Sequence, residues 1–221
     1  MADKYPSISP YAYCAWNPVK LVDPDGSMID DYYNLKGKLV YKTESGDNKY
    51  LLLTDESKID NPNNYPSVAV PSMTTLKKME SMYSYAEKNE QGIVLGTDGN
   101  SSSIINGNWD EITPQQWEPA LKEIDNVDCL IHLHTADYDN CKIGSANPSD
   151  KDLNENNFFN SSKTGVILSK RRNEFDNSVY RTTCNPDDYD NYISFYSQDK
   201  KYINGMFFDS FKKKIKKIHG L

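Results

Sequence analysis

Two histidines separated by one residue, His132 and His134, have the residue type and spacing best suited to chemistry in this chain. They lie in an apolar, β-prone run, and side chains two positions apart on a strand point to the same side. Cys129, Ile131 and Leu133 would then share the opposite face. Two imidazoles on one side of a strand lie close enough to bind one metal ion. Zinc in a catalytic site takes three protein ligands and leaves one position for water.

A carboxylate that could complete the metal site follows in the next polar segment. Asp152 comes three residues after Ser149, whose residue type is suited to N-cap a short helix containing Asp150 and Asp152. We therefore predict Asp152 as the third ligand. Alternatively, Asp152 could only complement the dipole of that helix, and Ser149 could be only its cap. Other side chains in the intervening loop are alternative ligands: Asp137, Asp139 and Cys141.

A general base for such a site must be a carboxylate close to the water. Glu90 ends the first predicted helix and directly precedes a short apolar strand, so it is the preferred candidate. Glu87 is a competing base, although it falls within the helix. The chain contains 3 histidines, and the third, His219, lies near its end. With histidine so scarce, the close pair favours a shared function over two separately solvated side chains.

Composition limits the classes of function. The chain has 221 residues, a hydrophobic fraction of 37% and a formal net charge of −7. An acidic chain is a poor non-specific ligand for nucleic acid, because phosphate contacts need lysine and arginine. The one basic cluster, residues 212–217, is predicted to be the solvated face of a C-terminal amphipathic helix. The four cysteines show no C-x-x-C pairing, and we predict free thiols.

The N-terminal sequence bears on localisation. Residues 1–10 lack a basic region followed by an apolar stretch, so no signal peptide is predicted. No apolar run is long enough to span a membrane. We expect a protein that stays in the cytoplasm or leaves the producing cell by a contact-dependent route that needs no signal.

Helical and strand patterns alternate along the chain and predict a mixed α/β fold. Residues 38–41 and 50–53 are β-prone runs around a Gly/Asp/Asn turn and predict a hairpin. Residues 61–66 are rich in proline and asparagine and are predicted to form a linker. The other strands are predicted from short apolar or β-prone runs: 90–96, 102–105, 129–134, 165–169, 179–183 and 192–196.

Three longer helices are predicted. Helical periodicity begins at Ser72 and should end near Asn89, with Thr74 or Thr75 as the N-cap. The second helix covers 114–124, with Thr113 as its N-cap. Pro119 lies inside it, so a kink or a break is expected there. The last helix covers 209–218.

Residues 10–26 differ in character from the rest, because they are extended pieces broken by Asn-Pro and Asp-Pro-Asp-Gly turns. They closely resemble the last motif of the core domain of RHS-repeat proteins, YxYxxNNPxxxxDPxG. The matching residues are Tyr11, Tyr13, Asn17, Pro18, Asp23, Pro24 and Gly26. In that family the core is a β-built shell, and a variable toxin module follows the motif. The resemblance implies an effector module after an RHS remnant, with a cognate immunity protein as partner.

The last two thirds of the chain resemble the JAB/MPN (JAMM) metalloprotease family, most closely the JAB-like modules of bacterial polymorphic toxins. The family signature is a glutamate at the start of a strand after the first helix, then H-x-H on a later strand, then S-x-x-D. The matching residues are Glu90, His132, His134, Ser149 and Asp152. The resemblance implies a mixed sheet flanked by helices in cytidine-deaminase-like layers. It also implies Zn²⁺ on the two histidines and Asp152, Glu90 as base and Ser149 as oxyanion donor.

These resemblances predict a zinc-dependent peptidase or isopeptidase that acts on a protein substrate, such as a ubiquitin-like conjugate in a target cell. The chain would divide into an RHS core remnant (1–27), a hairpin and linker (28–70) and a JAB-like domain (71–221). One alternative is an RHS-associated, metal-dependent nuclease, although the acidic charge and the lack of a basic stripe argue against it. The other is a catalytically decayed JAB-like binding module.

Overall fold

The computed structural model describes residues 30–43, 49–54, 66–149, 152, 164–172, 184–197 and 203–221. These residues form a mixed α/β structure with two larger sheets, a two-stranded sheet and three helices. The α/β class predicted from the sequence is confirmed. Three predicted features lie outside the described residues: the RHS-like remnant 1–27, most of the linker 61–66 and the strand 179–183.

A four-stranded sheet comes first in the chain. It contains β1 (Asp31–Tyr33), β2 (Leu39–Lys42), β3 (Tyr50–Leu53) and β4 (Ser67–Ala69), in the order β2-β1-β3-β4. The predicted hairpin is therefore wrong, because β1 lies between β2 and β3 and pairs with both. It is antiparallel to β2 and parallel to β3. β1 has only three residues, too few for its strand character to show as an alternating pattern.

Eight further strands are β5 (Gln91–Gly96), β6 (Ile105–Asn106), β7 (Val127–Leu133), β8 (Ala136–Asp137), β9 (Lys142–Ile143), β10 (Gly165–Arg172), β11 (Tyr189–Tyr196) and β12 (Asn204–Phe207). Six of them form one sheet in the order β12-β11-β10-β7-β5-β6, and β8 pairs with β9 in the two-stranded sheet. Within the six-stranded sheet, β7 is parallel to β10 and antiparallel to β5. The strand that carries His132 is therefore interior.

The first helix, α1, spans Met73–Met82, and a 3-10 turn over Tyr83–Tyr85 follows it directly. The predicted N-cap, Thr74 or Thr75, is wrong. Ser72 is the N-cap, and its hydroxyl accepts a hydrogen bond from the backbone N–H of Thr75 at 3.2 Å. The helix ends well before Asn89, the end predicted from the sequence.

The second helix, α2, spans Pro114–Lys122 and begins with a capping box between Thr113 and Gln116. Of the kink or break expected at Pro119, the break is wrong, since α2 continues through this residue. The third helix, α3, spans Phe208–Ile218, and all its lysines are at least partly exposed, as predicted. None of these three helices is long and apolar enough to cross a lipid bilayer.

Helices cover both faces of the six-stranded sheet. One face packs against α1 and α3 in a hydrophobic cluster that includes Leu76, Met79, Ile131, Phe208 and Phe211. The opposite face packs against α2 in a smaller cluster of Val94, Ile112, Trp117, Ala120 and Leu130. The four-stranded sheet contributes side chains such as Leu52 and Val68 to the larger cluster. The central strands are therefore buried on both faces.

Two of the four cysteines form a disulfide, Cys141–Cys184, across a sequence separation of 43. The prediction of free thiols is wrong for this pair, because the fold brings the turn between β8 and β9 next to the segment that precedes β11. Cys129 is a free, buried thiol in the larger core cluster. Cys14 lies outside the described residues.

Candidate metal centre

Strand β7 holds His132 in the interior of the six-stranded sheet, paired with Gly92 of β5 on one side and with β10 on the other. Ile131 and Leu133 belong to the cluster under α1 and α3, whereas Leu130 belongs to the cluster under α2. His132 therefore lies on the α2 side of the sheet, as the alternation along the strand predicts. It is only 3% exposed.

His134 lies one residue beyond the end of β7, and its backbone N–H donates to the carbonyl of Leu168 on β10 at 2.8 Å. Its ring Nδ1 lies 2.6 Å from the backbone carbonyl oxygen of Ser145. Because a carbonyl oxygen only accepts, Nδ1 carries the proton, and in the neutral ring this leaves the lone pair on Nε2. This arrangement is typical of a histidine that ligates a metal through Nε2.

Gly144 allows the loop to approach His134 this closely. Its backbone N–H donates to the carbonyl of Thr135 at 2.8 Å. A Cβ at position 144 would lie 2.5 Å from the Cβ of His134 and 2.6 Å from the carbonyl oxygen of Thr135. The backbone at Gly144 does not have a positive φ, so the requirement for glycine here is steric.

Ser149 and Asp152 hold each other in a reciprocal capping arrangement. The backbone N–H of Ser149 donates to Asp152 Oδ2 at 2.5 Å, and the backbone N–H of Asp152 donates to Ser149 Oγ at 3.2 Å. The capping role predicted for Ser149 is confirmed. The arrangement also fixes the orientation of the Asp152 carboxylate, which is 7% exposed.

The three predicted ligands converge on one point. His132 Nε2 and His134 Nε2 lie 3.0 Å apart, and they lie 3.1 and 3.3 Å from the two Asp152 carboxylate oxygens. Ligands around a tetrahedral zinc at about 2.0 to 2.1 Å are separated by roughly 3.3 Å, so these distances fit a shared ion. This buried group could hold a metal ion.

The electrostatics of the group favour an ionised carboxylate. Burial by itself would raise the pKa of Asp152, but His132 and His134 outweigh burial and hold that pKa well below its usual range. The carboxylate is therefore available as a charged ligand.

Glu90 directly precedes β5, and its backbone is fixed by two hydrogen bonds. Its N–H donates to the carbonyl of Asn108, and its carbonyl accepts from the N–H of Gly107, both at 2.8 Å. Glu90 is 9% exposed, and within the described residues nothing donates a hydrogen bond to its carboxylate. Burial raises the pKa of Glu90; the two histidines oppose this, and Asp152 and Asp110 reinforce it. Such a carboxylate is suited to accept a proton from water.

A cavity of about 300 Å³ joins these groups. Its lining contains all five predicted site residues together with apolar and acidic neighbours: Glu90, His132, His134, Ser149 and Asp152, with Ile112, Trp117, Asp110 and Glu111. Ser149 is exposed, and its Oγ accepts a hydrogen bond from Asp152, so its own O–H can donate into the cavity. The cavity leaves room for water beside the histidines.

The alternative residues considered from the sequence lie elsewhere. The carboxylate of Asp137 accepts hydrogen bonds from the backbone and side chain of Asn140, and Asp139 is exposed. Cys141 is bound in the disulfide and is not a spare ligand. Glu87 is exposed and does not line the cavity, so of the two glutamates considered as base only Glu90 lies at the cavity.

Sequence reasoning missed the groups that support the site. The carbonyl of Ser145 and the glycine before it leave no sequence signal until their partner is known. Trp117 lies against Gly92, where an added Cβ would be 2.4 Å from the Trp117 ring. A glycine inside a strand often marks a close approach, so Gly92 was an available signal for this contact.

No family model, no curated protein and no solved structure matches this chain. The fold and the site themselves therefore define its class. It is a mixed α/β protein with a buried His-His-Asp group that could hold a metal ion, next to a buried glutamate.

Proposed function

We propose that this chain is a zinc-dependent hydrolase of peptide or isopeptide bonds. The supporting observation is that His132 Nε2, His134 Nε2 and the Asp152 carboxylate converge at 3.0 to 3.3 Å on the cavity that Glu90 also lines. Two imidazoles and one carboxylate are a donor set typical of catalytic zinc. Zinc, when bound, supplies a Lewis acid and lowers the pKa of its water to about 7.

Each residue of the site has a separate task in this proposal. Glu90 accepts a proton from the water that attacks the carbonyl carbon, and it passes that proton to the leaving nitrogen when the C–N bond breaks. The O–H of Ser149 donates to the oxyanion of the tetrahedral intermediate. The carbonyl of Ser145 keeps His134 in the tautomer that leaves Nε2 unprotonated. The products are a carboxylic acid and an amine.

The order of the elements supports a JAB/MPN-like arrangement, which we propose as the finer fold class. A helix precedes Glu90, β5 follows it, and β7 pairs antiparallel to β5 with Gly92 opposite His132. This pairing brings Glu90 and the histidines to one cavity, and Asp152 follows later in the chain.

A substrate and a biological setting follow from the same resemblances. The substrate would be a protein, such as a ubiquitin-like conjugate. Delivery as an RHS-associated polymorphic toxin, and a cognate immunity protein, depend on residues 10–26, which lie outside the described residues. The delivery route and the immunity protein therefore remain predictions.

Metal analysis and hydrolysis together test the proposal. Purified protein should contain about one zinc per chain, and His132→Ala should lose it. Glu90→Gln should keep its zinc and its fold but lose hydrolysis of an isopeptide-linked ubiquitin-like conjugate by on the order of 100- to 10,000-fold. Asp152→Asn should instead weaken zinc binding, because it removes a charged ligand. The matched control is Glu87→Gln, an exposed glutamate outside the cavity, which should keep full activity.

The contrary outcomes are distinct. Wild-type protein without zinc after growth in zinc-replete medium would overturn the proposal. Full activity in Glu90→Gln would exclude the proposed base. Cleavage of supercoiled DNA or structured RNA in parallel assays, instead of the conjugate, would identify the nuclease alternative. Zinc binding without any hydrolysis would identify the decayed binding module.

A further inference from the structure

We infer that Ser194, a residue far from the candidate ligands in the sequence, is a positioning residue of the metal site. Its hydroxyl donates a hydrogen bond of 2.5 Å to the backbone carbonyl of Ala146. Ala146 follows Ser145, whose own carbonyl accepts from Nδ1 of His134. The inference rests on the zinc site of the proposed function, and it adds a residue that does not line the cavity.

Ser194 lies on the same side of the six-stranded sheet as His132. In β11 it pairs with Ile167 of β10, and Ile167 pairs in turn with His132 of β7. Residues directly opposite each other on neighbouring strands share a face, so these three side chains form one row across the sheet. With strands about 4.8 Å apart, Ser194 is roughly 10 Å from His132 along this row. Ile193 and Phe195, on either side of Ser194, belong to the cluster on the opposite face.

The hydroxyl of Ser194 is removed from water, since the residue is 1% exposed. A buried hydroxyl needs a hydrogen-bond partner, and the carbonyl of Ala146 supplies it. Water has little access to compete for a hydrogen bond at such a position. The contact is therefore able to hold the loop that contains Ala146 against the sheet.

Two consecutive carbonyls of this loop are bound from two different strands. The Ser145 carbonyl lies 2.6 Å from the ring of His134, just beyond the end of β7, and the Ala146 carbonyl is bound to β11. Peptide units are planar and stiff, so a shift of one unit displaces the next. The Ser194 hydroxyl thereby limits how far the Ser145 carbonyl can move away from His134.

We expect a moderate effect, because other contacts still hold the start of the loop. The N–H of Gly144 donates to the carbonyl of Thr135 at 2.8 Å, and the Cys141–Cys184 disulfide ties the preceding turn to the segment before β11. The net contribution of one hydrogen bond corresponds to about three- to tenfold in an equilibrium constant. The zinc affinity of Ser194→Ala should fall below that of wild type by this factor.

Zinc affinity is the first measurement, made by competition with a fluorescent chelator. Ser194→Ala removes one oxygen atom and adds no bulk, and circular dichroism checks its fold. Ser169→Ala is the matched control, because Ser169 is also a fully buried serine of this sheet. Within the described residues the Ser169 hydroxyl has no hydrogen-bond partner, so Ser169→Ala should bind zinc as tightly as wild type.

Nuclear magnetic resonance of metal-free protein with isotope-labelled histidine is the second measurement. The chain has 3 histidines, so the ring signals are few, and His134→Gln assigns the signal of His134. In wild type the Nδ1 proton of His134 should exchange slowly with solvent, because it is bonded to the Ser145 carbonyl. Ser194→Ala should accelerate this exchange, whereas Ser169→Ala should not. A general loss of stability would not single out this one proton.

The outcomes separate this inference from the proposed function. Equal zinc affinities in Ser194→Ala and wild type, or unchanged exchange of the His134 proton, would overturn the inference. Wild-type protein that binds no zinc would overturn the proposed function, and the exchange measurement on metal-free protein would still decide whether Ser194 holds the Ser145 carbonyl against His134. If wild type binds zinc but hydrolyses no conjugate, the hydrolase proposal fails, and both measurements still decide the role of Ser194.

Discussion

Gly144→Ala should weaken metal binding although residue 144 is not a ligand. The added Cβ would lie 2.5 Å from the Cβ of His134 and 2.6 Å from the carbonyl oxygen of Thr135. Ordinary van der Waals contact at this kind of position begins at 3.4 Å. The loop would therefore have to retreat by the difference between 2.5 and 3.4 Å, about 0.9 Å. Both neighbouring contacts involve backbone or Cβ atoms, so no flexible side-chain end can absorb the shift.

The retreat would break the contact that orients His134. The carbonyl of Ser145, next to Gly144, accepts from His134 Nδ1 at 2.6 Å. A retreat of about 0.9 Å would lengthen this contact to the limit of a hydrogen bond. Loss of such an outer partner typically costs about 10- to 100-fold in metal affinity. That range corresponds to about 1.4 to 2.7 kcal/mol.

Zinc affinity can be measured by competition with a fluorescent chelator, with circular dichroism to check the fold. Ser145→Ala is the matched control, because it removes the hydroxyl but leaves the backbone carbonyl that contacts His134. We expect it to bind zinc within about twofold of wild type. If Gly144→Ala is folded and binds zinc as tightly as Ser145→Ala, the contact between the Ser145 carbonyl and His134 does not contribute to zinc affinity.

Two further predictions concern stability. Burial raises the pKa of Asp128 from 3.8 to about 6, while its carboxylate accepts from the N–H of Ala69, so the folded state prefers the protonated acid. Its contribution to stability should be fully present below pH 4 and lost as the pH rises through about 6, by roughly 3 kcal/mol. In urea unfolding, Asp128→Asn should therefore gain stability relative to wild type between pH 4 and pH 7, and a pH-independent difference would refute this assignment. Cys141→Ser should lower the free energy of unfolding by up to about 4 kcal/mol, because the Cys141–Cys184 bond closes a long loop. Reduction of wild-type protein should have the same effect, and equal unfolding midpoints with and without reductant would contradict it.

The sequence by itself determined the features that depend on local backbone geometry. Alternation along β7 placed Leu130 and His132 on the face opposite Ile131 and Leu133, because successive side chains on any strand point in opposite directions. The cap at the start of α2 and the pairing of Ser149 with Asp152 follow equally short-range rules. The candidate ligands could be named for this reason.

Only the tertiary structure decided which distant segments meet. Two β-prone runs around a turn predict a hairpin, but β1 enters between β2 and β3, since the choice of strand partner depends on packing across the whole sheet. Cys141 and Cys184 have no sequence spacing that links them, and the fold alone brings them together. The fold alone also brings the backbone carbonyl of Ser145 to His134 and places Asp110 in the lining of the cavity. Contacts between segments far apart in sequence are set by the packing of intervening elements, which periodicity within one segment does not record.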